Sequence, residues 1–276
     1  MAQAAVIAAC CLVAAGYLAG LRALPAEQRR WGHALSFAVG LAGVLATCTG
    51  PVEGRAGSSY AWWVGQGLAL LLVVPVPLLL GHPAQVAGRF LPRVRAGRYL
   101  PHHGGLLSGP ILSAAIVPVA AGVFFFGAVP GWAAGSRPAA VAVQAALLAV
   151  GLAVTAALLP AVDRMTSAAV GMALAVGVVE LLLDAVPGIV MRLSTHPVST
   201  WYSAARPFSL ADQQNAGSLL WSVAELVDLP FLVLLFRRWV RADAREAAAA
   251  DESAGHPMDP QRPWFLDDPR LRDRFR

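Results

Sequence analysis

The chain has 276 residues, of which 57% are hydrophobic and only 13% charged, with a mean hydropathy of +0.61. Uncharged runs longer than the ~18 residues that mark a spanning helix recur along it, which excludes a soluble globular domain and sets the fold class as all-α and polytopic. The net charge of +5 comes from arginine alone, because the sequence contains no lysine; in a membrane protein such a balance reports orientation and anionic lipid, and no nucleic-acid partner is expected.

Taken in order, seven spans emerge near 3–21, 32–51, 60–81, 105–129, 139–162, 167–190 and 215–236. The first has no basic residue ahead of it, so it reads as a membrane helix and not as a cleaved leader. With the N-terminus outside, twelve arginines fall in inner loops (22, 29, 30, 89, 93, 95, 98, 164, 237, 238, 241 and 245) and four in outer ones (55, 137, 192 and 206). That bias predicts an N-out, C-in topology. The basic loop Arg89 to His103 is read as a topology signal, with lipid or partner contact as the alternative. Trp201, Tyr202 and Arg206 precede the seventh span and suit an interfacial anchor. The bundle occupies residues 1–240. Beyond it, RRWVRADAREAAAADE continues the last helix into the cytoplasm, and from Ser253 proline and charge indicate a disordered tail, in which Trp264-Phe265-Leu266 is a candidate docking element.

Carboxylates inside spans are costly and mark function more often than most buried groups. Glu180 and Asp184 are four apart on the sixth span, Glu225 and Asp228 three apart on the seventh, so each pair shares a helix face. Counted from the outer ends, Glu180 and Glu225 are expected at similar depth. These acids either attract a cation or proton in a hydrated cavity, or bridge helices as neutral, hydrogen-bonded groups.

Cys10, Cys11 and Cys48 all fall in the outer halves of the first two spans. An odd number inside helices argues against a disulfide framework. Thiolates suit Cu(I), yet neighbours on a helix point ~100° apart, so Cys10 and Cys11 do not easily face one site, and buried cysteine is usually a small hydrophobe. His33, His82, His102 and His103 map to the inner side without metal-ligand spacing. No phosphate loop, Gly-x-Ser-x-Gly elbow or His-Glu-x-x-His occurs, so the chain is not expected to be an enzyme, and no soluble small-molecule substrate is evident.

Asp212-Gln213-Gln214, then Ala216-Gly217, Trp221 and a helix running into a charged extension, closely resemble the last helix of the CtaG-like cytochrome c oxidase assembly factors. In the third span, Gln66 and Pro77-Leu78-Leu79-Leu80-Gly81-His82-Pro83 resemble a second pattern of that family. The sequence departs from it in its histidines: a His-x-x-x-His pair around the glutamine falls on Trp63 and Gly67, a Trp-His-x-Pro becomes Gly127-Ala128-Val129-Pro130, and a Glu-His has no counterpart near Gln144 to Leu147. The resemblance implies a plasma-membrane chaperone for a respiratory oxidase, with oxidase subunits and membrane lipid as partners and copper-centre maturation at the outer face. The competing expectations are a cation or proton carrier built on the four acids and a purely structural membrane scaffold.

Overall fold

The computed structural model describes residues 2–25, 29–87, 110–158 and 167–253. The basic loop from Arg89, with His102 and His103, and the tail containing Trp264 to Leu266 lie outside the described residues. The helices are α1 (Ala2–Arg22), α2 (Trp31–Cys48), α3 (Gly50–Ala56), α4 (Tyr60–Leu68), a π-helical turn (Ala69–Val73), α5 (Pro75–Leu80), α6 (Pro83–Ala87), α7 (Pro110–Phe125), α8 (Val129–Gly135), α9 (Arg137–Leu158), α10 (Ser167–Leu193) and α11 (Leu210–Ser253). No strand occurs among the described residues, only isolated bridges.

Among the described residues, five stretches are long and apolar enough to cross a membrane: Gln3–Arg22, Trp31–Cys48, Tyr60–Leu80, Arg137–Ala156 and Val170–Leu193. The expected spans near 105–129 and 215–236 fall on α7, which has 16 residues, and on the first half of α11, and neither is among those five. The second expected span is shorter than its apolar run suggests. Thr49 is extended and Gly50 adopts φ +68, a left-handed turn that a side chain would oppose, so the chain breaks and restarts as α3. Gly127 makes a similar break at φ +65 between α7 and α8.

Side-chain and backbone contacts fix the direction of each helix. α4 and α11 begin at one end of the bundle, where Asp212 meets Tyr60 N. α7 and α10 finish there, since Tyr60 Oη donates to Phe125 O and Gln213 Nε2 to Ser194 O. α2 also finishes there and α9 begins there, joined through Glu53 and Gln66. At the opposite end, Tyr17 Oη donates to Gly81 O at 2.7 Å, tying the last turn of α1 to the end of α5. Successive long helices therefore alternate in direction. We call the two ends the Asp212 end and the His82 end.

The core lies nearer the Asp212 end, where Tyr60, Val64, Phe125, Leu147, Met191 and Trp201 are almost wholly buried. A smaller cluster of Tyr17, Leu21, Phe37, Val74 and Leu78 packs the His82 end, with Tyr17 and Phe37 stacked at 4.0 Å. The pair α10–α11 is held by small residues. A Cβ on Gly217 would sit 2.7 Å from both Arg192 N and Gly188 O, and one on Gly177 would sit 2.8 Å from Leu232. Glycine at such crossings lets helix backbones approach where the apolar surroundings supply no hydrophobic drive. α11 continues unbroken to Ser253 over 44 residues, so the charged extension is continuous with the span. Its far part is pinned at the start of α10, where Ser167 N donates to Glu246 Oε1 at 2.7 Å.

Candidate functional site

The first turn of any helix leaves backbone N–H groups without partners. In α4 they are satisfied from a distant helix. Asp212, near the start of α11, accepts from Ser59 Oγ at 2.7 Å, Tyr60 N at 2.7 Å and Ala61 N at 3.3 Å. A carboxylate there also meets the positive end of the helix dipole. Ser59 adds a local cap by accepting from Trp62 N.

Gln213, with 0% exposure, points the other way. Its Oε1 accepts from Val198 N at 3.0 Å, and its Nε2 faces the carbonyls of Ser194 at 3.1 Å and His196 at 3.0 Å. One side chain thus satisfies the frayed end of α10 and the start of the 194–209 segment. Gln214 contributes its backbone carbonyl to Ser218 Oγ at 2.8 Å. Gly217 makes the close crossing with α10, and Trp221 Nε1 donates to Glu225 one turn along the same helix.

Gln66 belongs to a second polar group at this end, organised by a residue the sequence reading passed over. Glu53, on α3, accepts from Arg137 Nη1 at 2.8 Å through Oε1, and from Gln66 Nε2 at 2.7 Å and Gln144 Nε2 at 2.9 Å through Oε2. Gln66 Nε2 also donates to Thr47 O at 2.6 Å. Two elements, α4 and α9, therefore converge on one carboxylate of α3 whose side chain is 11% exposed, and α2 joins them through Gln66. The available signal was an acid just past the end of a span, opposite an arginine assigned to the same side.

Beside this network lies a cavity of about 390 Å³, walled by Trp63, Ala133, Ala140 and Trp201 as well as Glu53, Gln66, Gln144, Arg137 and Arg206. Of the two places where the family's histidine pair was expected, Trp63 lines it and Gly67 instead packs against Phe125; Gln144 also lines it. Behind Trp201 the rings cluster: Tyr60 sits 5.6 Å from Trp201 and 5.4 Å from Tyr202 by ring centroids. Burial, then the charges of Asp212 and of Tyr60, hold the Tyr202 phenol well above its ordinary pKa. Of the residues read as an interfacial anchor, Trp201 is interior, whereas Tyr202 and Arg206 are half-buried. Arg206 lies over the Trp201 ring at 5.0 Å.

The four acids behave differently. Gly177 faces Leu232 and Gly188 faces Trp221. Interpolating between those crossings brings Asp184 level with Glu225, and Glu180 level with the backbone of Asp228 and Leu229. The expected pairing of Glu180 with Glu225 is thus off by about one turn, because α10 runs on to Leu193 and α11 starts at Leu210, before the apolar segment. Asp184 is buried, Glu180 and Glu225 half-buried.

Among the cysteines, Cys10 and Cys48 are buried and within electrostatic reach of each other, whereas Cys11 is exposed. No group of three His, Cys, Asp or Glu with metal-binding geometry exists among the described residues. His33 and His82 meet at the other end of the bundle, their ring centroids 4.4 Å apart, with His82 at φ 49.

An all-helical chain with several membrane-length apolar helices, knit at one end by carboxylates and amides, is a multi-span membrane protein. The chain belongs to the cytochrome c oxidase caa3 assembly factor family, whose model matches residues 15–242. No curated protein and no solved structure matches it significantly. The membership connects the chain with oxidase assembly and a membrane setting.

Proposed function

We propose that the chain acts as a non-catalytic assembly scaffold for a caa3-type cytochrome c oxidase in the bacterial plasma membrane, with seven spans, the Asp212 end outside and the α11 extension inside. Supporting this orientation, Arg55, Arg137, Arg192 and Arg206 gather at the Asp212 end, while Arg22, Arg29 and Arg30 lie at the other. The observation that carries the reading is convergence: the family match spans the bundle, and the residues that bear the resemblance (Gln66, Asp212, Gln213, Gly217) all serve to build one end of it.

Copper is the metal the family implies, and the donors at this end do not fit it. The cavity offers amides, indoles, a carboxylate already engaged by three donors and two guanidinium groups. Neutral imidazole and thiolate are the donors copper prefers, and Cys11 is turned away from Cys10 and Cys48. The scaffold reading therefore assigns docking and orientation of an oxidase subunit to this chain, and no metal-transfer step.

A second reading, a cation or proton relay through Glu180, Asp184, Glu225 and Asp228, draws on the register that brings Asp184 level with Glu225. Gene deletion separates the two. The scaffold reading expects loss of caa3-type oxidase activity and of its haem spectrum, restored by the intact gene and not by added copper. Normal oxidase with altered ion uptake would instead favour the relay, and rescue by copper alone would reassign the chain to metal supply.

A further inference from the structure

The cavity at the Asp212 end has unequal electrostatics. Its one acid, Glu53, has donors on both oxygens. Of its two arginines, Arg137 is the one paired with that acid. Arg206 has no carboxylate within ion-pair distance among the described residues. Its Nε and Nη1 donate to the carbonyls of Trp201 at 3.2 Å and Ala134 at 3.3 Å, which leaves the Nη2 arm of the fork. Next to it, the indole Nε1 of Trp201 has no hydrogen-bond partner in a side chain that is 2% exposed. Buried N–H groups are nearly always satisfied, and a guanidinium with an unused arm matches a carboxylate. The indole nitrogen is sealed inside the protein, so the open guanidinium arm, on the wall of a cavity whose acid is already engaged, is the donor that calls for an anionic acceptor.

We propose that this cavity is a carboxylate-binding site, in which Arg206 supplies the charge through its open Nη2 arm, and that the carboxylate is an acidic side chain presented by a partner polypeptide. The volume of about 390 Å³ exceeds what a carboxylate alone fills, and Trp63, Ala133 and Ala140 provide apolar wall for the methylene that carries it. The cavity lies at the Asp212 end, between α3, α8, the 194–209 segment and the first turns of α4 and α9, where a chain outside the hydrocarbon reaches it. The polypeptide source rests on the assembly reading; the carboxylate chemistry stands without it.

Ligand-observed NMR titration of the purified full chain in detergent tests both parts, with N-acetyl-aspartate methylamide, its asparagine counterpart and acetate as probes. The capped aspartate should bind saturably and at least tenfold more tightly than the asparagine compound, and acetate should bind more weakly than the capped aspartate. Arg206→Gln should lose tenfold or more. Because that change also removes two hydrogen bonds to the backbone, Ala140→Leu, which fills the cavity from α9 and leaves those bonds intact, should abolish binding at an unchanged melting temperature. Equal binding of the aspartate and asparagine compounds, or aspartate binding undiminished in both variants, overturns the site. Acetate binding as tightly as capped aspartate overturns the polypeptide source. Oxidase that assembles normally in the deletion strain, with carboxylate binding intact, sinks the assembly reading and leaves the site standing.

Discussion

The carboxylates at the Asp212 end and those along α10–α11 are the same chemical groups put to different use. Asp212 and Glu53 each collect three donors, drawn from elements remote in sequence; Tyr60 and Asp212 are 152 positions apart. Glu225 takes its donor from Trp221 on its own helix, four residues away. A carboxylate bonded across elements locks tertiary structure, because losing it orphans several backbone or amide groups at once. One bonded within a helix contributes little beyond that helix.

The comparison breaks most readily at Asp212. Asp212→Ala should cost about 3 kcal/mol, since it orphans two amides and a hydroxyl at a helix start. A thermal melt in detergent within a degree of the parent chain would mean that water replaces the cap without loss. Gly217→Leu should cost about 2 kcal/mol and prise α10 from α11, because both atoms met by the new Cβ are backbone. A cysteine pair introduced across that crossing should then cross-link more slowly than in the parent.

Glu225→Gln sharpens the contrast from the other side. It should change stability by about 0.5 kcal/mol, the scale of a pair within one helix, and a loss as large as that of Asp212→Ala would show that Glu225 has a cross-helix role. The smallest effect is expected at Glu246, which is fully exposed. The hydroxyl and then the amide of Ser167 hold its carboxyl below its ordinary value of 4.5. A depressed carboxyl stabilises the folded state above its unfolded pKa, and that contribution disappears as pH falls through the lower folded value. The Ser167 amide resonance should accordingly titrate with a midpoint under 4.5, and a midpoint at or above 4.5 would discard the pin.

How much of this was legible in the sequence follows from the same contrast. Spans with one apolar run and few breaks, such as α1, α9 and α10, were readable nearly to their ends because hydropathy integrates over twenty residues. The end of α2 was not, because a single left-handed glycine decided it. Asp212-Gln213-Gln214 was recognisable as a marker, but its purpose was hidden. Capping a helix that begins at Tyr60 and tying down the end of α10 are long-range facts with no local periodicity. Glu53 was invisible for a related reason: a lone acid in a short connection looks solvated until Arg137, Gln66 and Gln144 arrive around it. The acids of α10 and α11 were legible as residues and misjudged in depth, since register depends on where packing glycines meet and not on where apolar runs begin.

The length of α11 has a mechanical corollary. Its 44 residues extend about 66 Å at ~1.5 Å per residue, more than twice the ~30 Å of a bilayer's hydrocarbon. Asp212 and Gln213 anchor the helix at one extremity and Glu246 meets Ser167 near the other, so a pivot about the first anchor acts over its whole length. A tilt of about 5° sweeps its far tip through about 6 Å, given that rise per residue. One unbroken helix therefore joins the cross-bonded Asp212 end to the far side of the bundle.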